Sequence, residues 1–249
     1  MKDLTWLKEA YIAHRGYHLE DGSIPENSIK AYKEALNRGY AIELDVNLLK
    51  DHTVVAFHDY HLKRLLGIDK NVDELTFQDI KGLTLLNTEE HIPTLKEVLD
   101  LVNGQTPLLI ELKPHGNVSL LVDQVMNLLE TYKGPYAIFS FHPKVVYLLK
   151  KNYPQVIRGQ IAESFRDDKM MSPLVKKMMK HMLFNPLTKP DFISYGIRDL
   201  PNKQLDRLKR KGLTIISYAA RTQNEFDLVK KHYHNVVFEY FEPKKKDER

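Results

Sequence analysis

Nine short runs rich in β-branched and aromatic residues alternate with longer amphipathic segments, which predicts an α/β fold. Within that class the expectation is a TIM (β/α)8-type barrel with a small insertion after the second strand unit. Two further observations support it. At 249 residues and 43% hydrophobic content, the chain can bury one large core, so a single domain over residues 1–249 is expected. No Gly-x-Gly-x-x-Gly follows the first run, which weakens the rival open, doubly wound sheet.

Taken in order, Leu4–Ala10 reads as a short covering segment and Tyr11–Ala13 as the first strand. The apolar spacing over Ser28–Arg38 predicts a helix that Gly39 closes, and Ala41–Leu48 and Val54–Phe57 follow as strands. Residues 59–94 hold no clear strand and read as the insertion, with a helical stretch opening at Val72. Regular alternation then resumes. The helix Leu95–Val102 precedes the strand Pro107–Leu112, Ser119–Tyr132 precedes Tyr136–Ser140, and Lys144–Lys151 precedes Val156–Ile161. Pro173–His181 precedes Asp191–Ser194, Asn202–Lys211 (with Pro201 near its start and Gly212 after it) precedes Leu213–Tyr218, and Gln223–His232 precedes Val236–Tyr240. The chain ends directly after that strand, so Leu4–Ala10 is expected to cover the end where an eighth helix would lie.

Composition narrows the function classes. With no cysteine there is neither a disulfide framework nor a thiolate ligand or nucleophile. The amino terminus carries Asp3, Lys8 and Glu9 where a signal peptide needs an apolar run, and no apolar stretch reaches spanning length. A cytoplasmic protein without stable membrane anchoring is therefore expected. A formal charge of +4 does not argue for a nucleic-acid partner, and the terminal Lys244-Lys245-Lys246-Asp247-Glu248-Arg249 reads as a solvated tail.

The chemistry concentrates early, in His14-Arg15-Gly16, Pro25-Glu26-Asn27, Glu43-Leu44-Asp45 and His58-Asp59. Glu43 and Asp45 lie two apart on a strand and point to one face, expected to be the barrel interior near its carboxyl-end rim. Two carboxylates facing one interior are costly unless a cation or a basic group neutralises them, so they read as metal ligands or as ion-paired structural acids. Glu111 and Lys113 repeat the spacing at the end of a later strand. Glu111 would complete a set of three oxygen ligands, which suits one hard cation, Mg2+ or Ca2+. Lys113 would meet a phosphate oxygen, or form a structural pair with Glu111. Arg15 is placed to grip phosphate through its planar fork. His14 and His58 each end an apolar run, and together they suit general acid and base roles. Glu26 and Asn27 orient the loop or touch the metal, with a helix cap as the other reading of Asn27. His142 is a weaker candidate at the rim, and His232 and His234 read as surface residues. The remaining histidines, His18, His52, His61, His91, His115 and His181, show no partner pattern. Met170, Met171, Met178, Met179 and Met182 cluster around a basic helix, as core packing or as an apolar lip.

These motifs resemble the glycerophosphodiester phosphodiesterase family, together with Ser28, Val46, Val55-Ala56-Phe57 before His58, Leu62, Arg64, Ile92-Pro93-Thr94-Leu95 and Glu111-Leu112-Lys113. The resemblance runs in order from about residue 11 to 240. It implies a TIM barrel with an insertion after the second strand unit and a divalent cation held by Glu43, Asp45 and Glu111. It also implies His14 and His58 as the acid–base pair and Arg15 and Lys113 on the phosphate. The implied reaction cleaves a glycerophosphodiester to sn-glycerol 3-phosphate and an alcohol, through a cyclic phosphate formed by the substrate's own hydroxyl. The chain departs from the family late. Ser217-Tyr218-Ala219-Ala220-Arg221 stands where a Trp-Thr-Val-Asn-like run is common, and Phe238-Glu239-Tyr240-Phe241-Glu242-Pro243 stands for a Thr-Asp-x-Pro-like finish. Those changes touch the pocket wall and leave open a lysophospholipase D-like cleavage of lysophospholipids. A non-catalytic barrel that binds phosphorylated ligands is the reading furthest from the residues.

Overall fold

The computed structural model describes residues 2–169 and 171–244. Met170 of the methionine cluster and residues 245–249 of the charged tail lie outside them. Each of the nine expected strands forms, within two residues of its expected ends, in the strand–helix alternation of a TIM-type α/β fold. The described chain divides into two compact units, residues 12–137 and residues 2–11 with 138–244.

After α1 (Thr5–Glu9), which belongs to the second unit, the first unit runs β1 (Ile12–Ala13), α2 (Ile29–Asn37), β2 (Ala41–Leu48) and β3 (Val54–Ala56). It continues through α3 (Lys63–Leu66), α4 (Phe77–Ile80), α5 (Leu95–Val102), β4 (Leu108–Leu112) and α6 (Val118–Leu129). Strand β2 is its spine. It lies parallel to β1, with Ala13 opposite Ile42, and parallel to β4, with Asp45 opposite Glu111. Its last residues also pair antiparallel with β3, Val46 opposite Ala56. Both faces of β2 are covered, which explains why it reads as an almost unbroken buried run rather than an alternating one. The insertion has a core of its own, in which Leu62, Leu65, Val72, Leu75, Ile80, Leu85 and Ile92 pack on Val55 and Phe57. Burying that much apolar surface holds short helical turns that could not stand alone.

Strand β5 (Tyr136–Ser140) leads into the second unit. There α7 (Pro143–Asn152), β6 (Ile157–Ala162), α8 (Pro173–Lys180), α9 (Asn185–Thr188), β7 (Phe192–Gly196), α10 (Lys203–Arg210), β8 (Thr214–Ala220), α11 (Gln223–His232) and β9 (Asn235–Phe238) follow. Strands β6 to β9 are parallel neighbours in chain order. As expected, the amino-terminal segment covers the last strands. Helix α1 packs on β8 and β9, and Asn235 Nδ2 donates to the carbonyls of Leu7 and Ala10 at 3.0 and 2.7 Å.

The methionine cluster departs from the core reading. No residue of α8 is buried, and Leu174, Val175, Leu183 and Leu187 are exposed. Among the described members of the cluster only Met182 is buried, so core packing applies to it alone. The alternation of Lys176, Lys177 and Lys180 with apolar residues reads as helix amphipathicity, with Met178 and Met179 half-buried and Leu174 and Val175 exposed.

Candidate active site

The candidate metal-ligating, acid–base and phosphate-binding residues all fall within the first unit, and the strand register assembles them. Asp45 and Glu111 are directly opposite across β2 and β4, and Glu43 lies two residues earlier on the same face of β2. One carboxylate oxygen from each of the three lies within 4.8 Å of the others, and all three residues are buried. Lys113 reaches back over this group, with Nζ 2.9 Å from Glu111 Oε1 and 3.4 Å from Asp45 Oδ1.

The loop after β1 is shaped by left-handed backbone. Arg15 and Gly16 have φ of 53° and 77°, and a Cβ on Gly16 would lie 2.8 Å from the Ala31 carbonyl carbon. Glycine is thus required by both conformation and space. The turn aims the Arg15 amide at Glu43 Oε2 (2.9 Å), while its guanidinium pairs with Glu26 (2.7 Å) and Asp45 (3.2 Å). Asn27, also left-handed at φ 53°, is fully buried and holds Asp45 from two sides. Its Nδ2 donates to Asp45 Oδ2 at 3.0 Å, and its Oδ1 accepts from the Asp45 amide at 3.2 Å and the Tyr32 hydroxyl at 2.9 Å. Asn27 therefore positions Asp45 and is not the cap of α2. That role falls to Ser28, whose Oγ accepts from the Ala31 amide.

The histidines sit differently. His14 places Nε2 3.8 Å from Glu43 Oε2, and its carbonyl accepts from His18 Nδ1 at 2.9 Å. His18, which showed no pattern in sequence, thus braces the backbone of His14. His58 Nδ1 is 2.7 Å from Asp59 Oδ1. Donation of Nδ1–H to that carboxylate fixes the orientation of the ring and leaves Nε2 as its other nitrogen. Asp59 is held in turn by Arg64, whose Nε lies 2.6 Å from Asp59 Oδ2, and Arg64 also forks onto both oxygens of Glu26 at 2.7 Å. The chain of contacts runs His58–Asp59–Arg64–Glu26–Arg15–Asp45.

The electrostatics show that the acidic group lacks positive charge. Burial, together with Asp45 and Glu111 beside it, pushes the Glu43 carboxyl well above the ordinary carboxylate range. Burial also raises Glu111, against the pull of Lys113. Burial would raise Asp45 too, but Lys113, His58, Arg15 and His14 outweigh it and hold that carboxyl low. Glu26 follows the same pattern, with burial overcome by Arg64, Arg15 and His58 to leave it at about 2. Were all five carboxyls ionised, Glu26, Glu43, Asp45, Asp59 and Glu111 would exceed Arg15, Arg64 and Lys113 by two charges, the imbalance that pushes Glu43 up. Three converging buried oxygens with that excess fit one hard divalent cation.

Sequence reasoning named Asp59 and Arg64 only within motifs and gave them no role. The acid directly after His58 and the arginine five residues on were the available signals. His142 is explained as the cap of α7, accepting from the Lys144 amide at 3.2 Å. His232 and His234 are half-buried rather than surface residues, and His234 Nδ1 accepts from the Ile215 amide at 3.0 Å. Exposed His115 stacks on Tyr60 with ring centroids 4.0 Å apart.

The glycerophosphoryl diester phosphodiesterase family matches over residues 14–238. A glycerophosphodiester phosphodiesterase of Caldanaerobacter subterraneus is 30% identical over 177 residues, covering 68% of this chain and 65% of that protein. A lysophospholipase D of Rattus norvegicus is 32% identical over 136 residues, covering 49% of this chain and 41% of its own length. The chain thus spans less than two thirds of the length of these curated relatives. Among solved structures, an Oleispira antarctica phosphodiesterase in complex with sn-glycerol-3-phosphate superposes with a TM-score of 0.80 at 21% identity, covering 94% of each chain. A glycerophosphodiester phosphodiesterase of Thermotoga maritima gives 0.71 at 23% identity, covering 92% of this chain and 94% of that one. These likenesses show a shared fold, the TIM-type barrel that the sequence predicts.

Proposed function

The chain belongs to the glycerophosphoryl diester phosphodiesterase family, and from that premise we propose that it is a metal-dependent phosphoric diester hydrolase. The reading is that it cleaves a glycerophosphodiester to sn-glycerol 3-phosphate and an alcohol. The observation that carries it is the buried Glu43–Asp45–Glu111 group with its excess negative charge, next to two histidines that no metal ligand set requires. Glu43, Asp45 and Glu111 would hold one Mg2+ or Ca2+, which when bound supplies charge that favours the developing phosphorane-like transition state.

The chain's own residues supply the rest. Arg15 and Lys113 bind the phosphate, and their ion pairs with Glu26, Asp45 and Glu111 hold both side chains in place before substrate arrives. His58 is oriented by Asp59, so that Nε2 is the atom that takes or gives a proton. His14, braced by His18, faces the same group from β1 and carries the complementary transfer. One imidazole removes the proton of the attacking hydroxyl and the other protonates the departing alkoxide, which exchanges their protonation states; water then opens the cyclic phosphate with the two roles reversed, and the pair returns to its starting state.

The test is release of glycerol 3-phosphate from glycerophosphocholine with EDTA, Mg2+ or Ca2+, comparing wild type with His14→Ala. Metal-dependent release that vanishes in the variant is the expected result, and release that persists in EDTA refutes the reading. One observation favours a second reading, cleavage of lysophospholipids. Leu174, Val175, Leu183 and Leu187 are exposed in the segment that carries Lys176, Lys177 and Lys180, a composition that suits a lipid-like alcohol. A head-to-head assay of lysophosphatidylcholine against glycerophosphocholine separates the two.

A further inference from the structure

Asn47 is fully buried on β2 and has no part in the chemistry above. Glu43, Asp45 and Asn47 alternate along that strand, so its two-residue repeat sets all three side chains on one face. A buried polar side chain is expected to find a partner, and Asn47 finds the segment that holds His58. Its Nδ2 donates to the Phe57 carbonyl at 2.8 Å and reaches the Asp59 carbonyl at 3.5 Å. The two acceptors stand on either side of His58 in the chain.

This contact begins where backbone pairing stops. Strand β3 ends at Ala56, and the Phe57 amide still donates to the Asp45 carbonyl at 3.0 Å. Past that point a side chain of β2, rather than its backbone, holds the Phe57–Asp59 segment. An amide nitrogen has two hydrogens, one for each carbonyl. Turned over, the amide would set Oδ1 against two carbonyl oxygens, so the partners themselves fix which atom faces them.

Oδ1 is then left buried, and it meets no hydrogen-bond donor among the described residues. An unpaired buried acceptor costs stability, and an apolar side chain of the same size would avoid that cost. Stability alone is therefore a poor reason for asparagine at this position. The restraint it gives complements that of Asp59. The Asp59 carboxylate turns the His58 ring, whereas Asn47 holds the backbone from which both side chains spring.

We infer that Asn47 is a positioning residue, which clasps the carbonyls on both sides of His58 and so sets the imidazole at a fixed place relative to Glu43 and Asp45. Its effect on turnover rests on the proposed function. Displacing a reacting group by about 1 Å can cost on the order of 100-fold in rate.

Asn47→Leu keeps the volume and removes both donors, and Asn47→Ala removes them without filling the space. Each is expected to lower kcat for glycerophosphocholine about 10- to 100-fold. KM and the metal concentration for half-maximal activity should stay within about twofold of wild type. In the His58→Ala background, Asn47→Leu should cost nothing further, because a residue that acts through the imidazole has nothing left to position. A merely structural role gives the opposite pattern, an additive loss in the double variant with kcat, KM and metal requirement failing together at a lowered urea midpoint. Either that pattern or wild-type kcat in both single variants overturns the inference.

A second measurement needs no turnover. In NMR spectra of the full chain with isotope-labelled histidine, the His58 ring signals are assigned by their loss in His58→Ala. They should move or broaden in Asn47→Leu while those of His14 hold. That response in a protein without turnover would keep the positioning role and sink the proposed activity. Turnover by wild type, with neither the response nor a loss of kcat in the variants, would do the reverse.

Discussion

Replacing Asn27 with alanine is expected to destabilise the protein by about 3–5 kcal/mol, which follows from three hydrogen bonds and one dihedral angle. The side chain is buried and bridges Asp45 Oδ2, the Asp45 amide and the Tyr32 hydroxyl. Alanine strands the amide and the phenol, since Asp45 and Tyr32 are both fully buried. Each orphaned donor costs roughly 1–3 kcal/mol, more than the net worth of the bond it had made. The backbone adds to this, because a φ of 53° costs alanine about 1 kcal/mol that asparagine partly avoids. Glycine at the same position loses the hydrogen bonds but tolerates that φ, so Asn27→Gly should be about 1 kcal/mol more stable than Asn27→Ala. Urea unfolding of the three proteins, with unchanged m-values, measures both quantities. Both variants should also bind Mg2+ or Ca2+ roughly 10- to 100-fold more weakly, because Asp45 loses the partner that orients it. An alanine variant within about 1 kcal/mol of wild type would refute the claim that Asn27 is a structural clamp on Asp45.

Further outcomes follow from the same network. His14→Ala and His58→Ala should each lower kcat by about 10²- to 10⁴-fold with an unaltered urea midpoint, and near-wild-type turnover in either removes it from the acid–base pair. Asp59→Asn should retain the fold but lower kcat, because the amide no longer requires the Nδ1–H tautomer of His58. Glu43→Gln should need more metal for half-maximal activity, with partial recovery in excess cation, and recovery without added metal would argue against ligation. Glu26 supplies the pH test. Its carboxyl is held at about 2 in the folded protein, below its value of 4.5 in the unfolded chain, so its stabilisation is present above pH about 4.5 and is lost as the pH falls towards 2. That contribution is on the order of 2–3 kcal/mol, and Glu26→Gln should remove it and flatten this acid limb in urea midpoints taken between those pH values.

Much of this was legible in the chain. Strand ends such as those of Ala41–Leu48 and Tyr136–Ser140 were recoverable because a buried parallel strand is a short β-rich run bounded by polar or turn residues. The common face of Glu43 and Asp45 follows from the two-residue repeat of a strand. Less legible were contacts that depend on distant segments meeting. Arg64 and Glu26 are 38 residues apart, and the insertion that carries Arg64 has no periodic pattern until its own small core is built. Asn27 looked equally like a helix cap, since caps and left-handed turns favour the same residue type.

Local periodicity and residue chemistry set the order and kind of the elements, the carboxylates that share a strand face and the histidines at strand ends. It takes the assembled fold to stand Asp45 opposite Glu111, to tie His58 to Glu26 through Asp59 and Arg64, and to leave the described methionines beyond Met182 out of the core. Register between strands and the pairing of buried charges are set by the free energy of the whole fold. No local stretch of the chain carries that information.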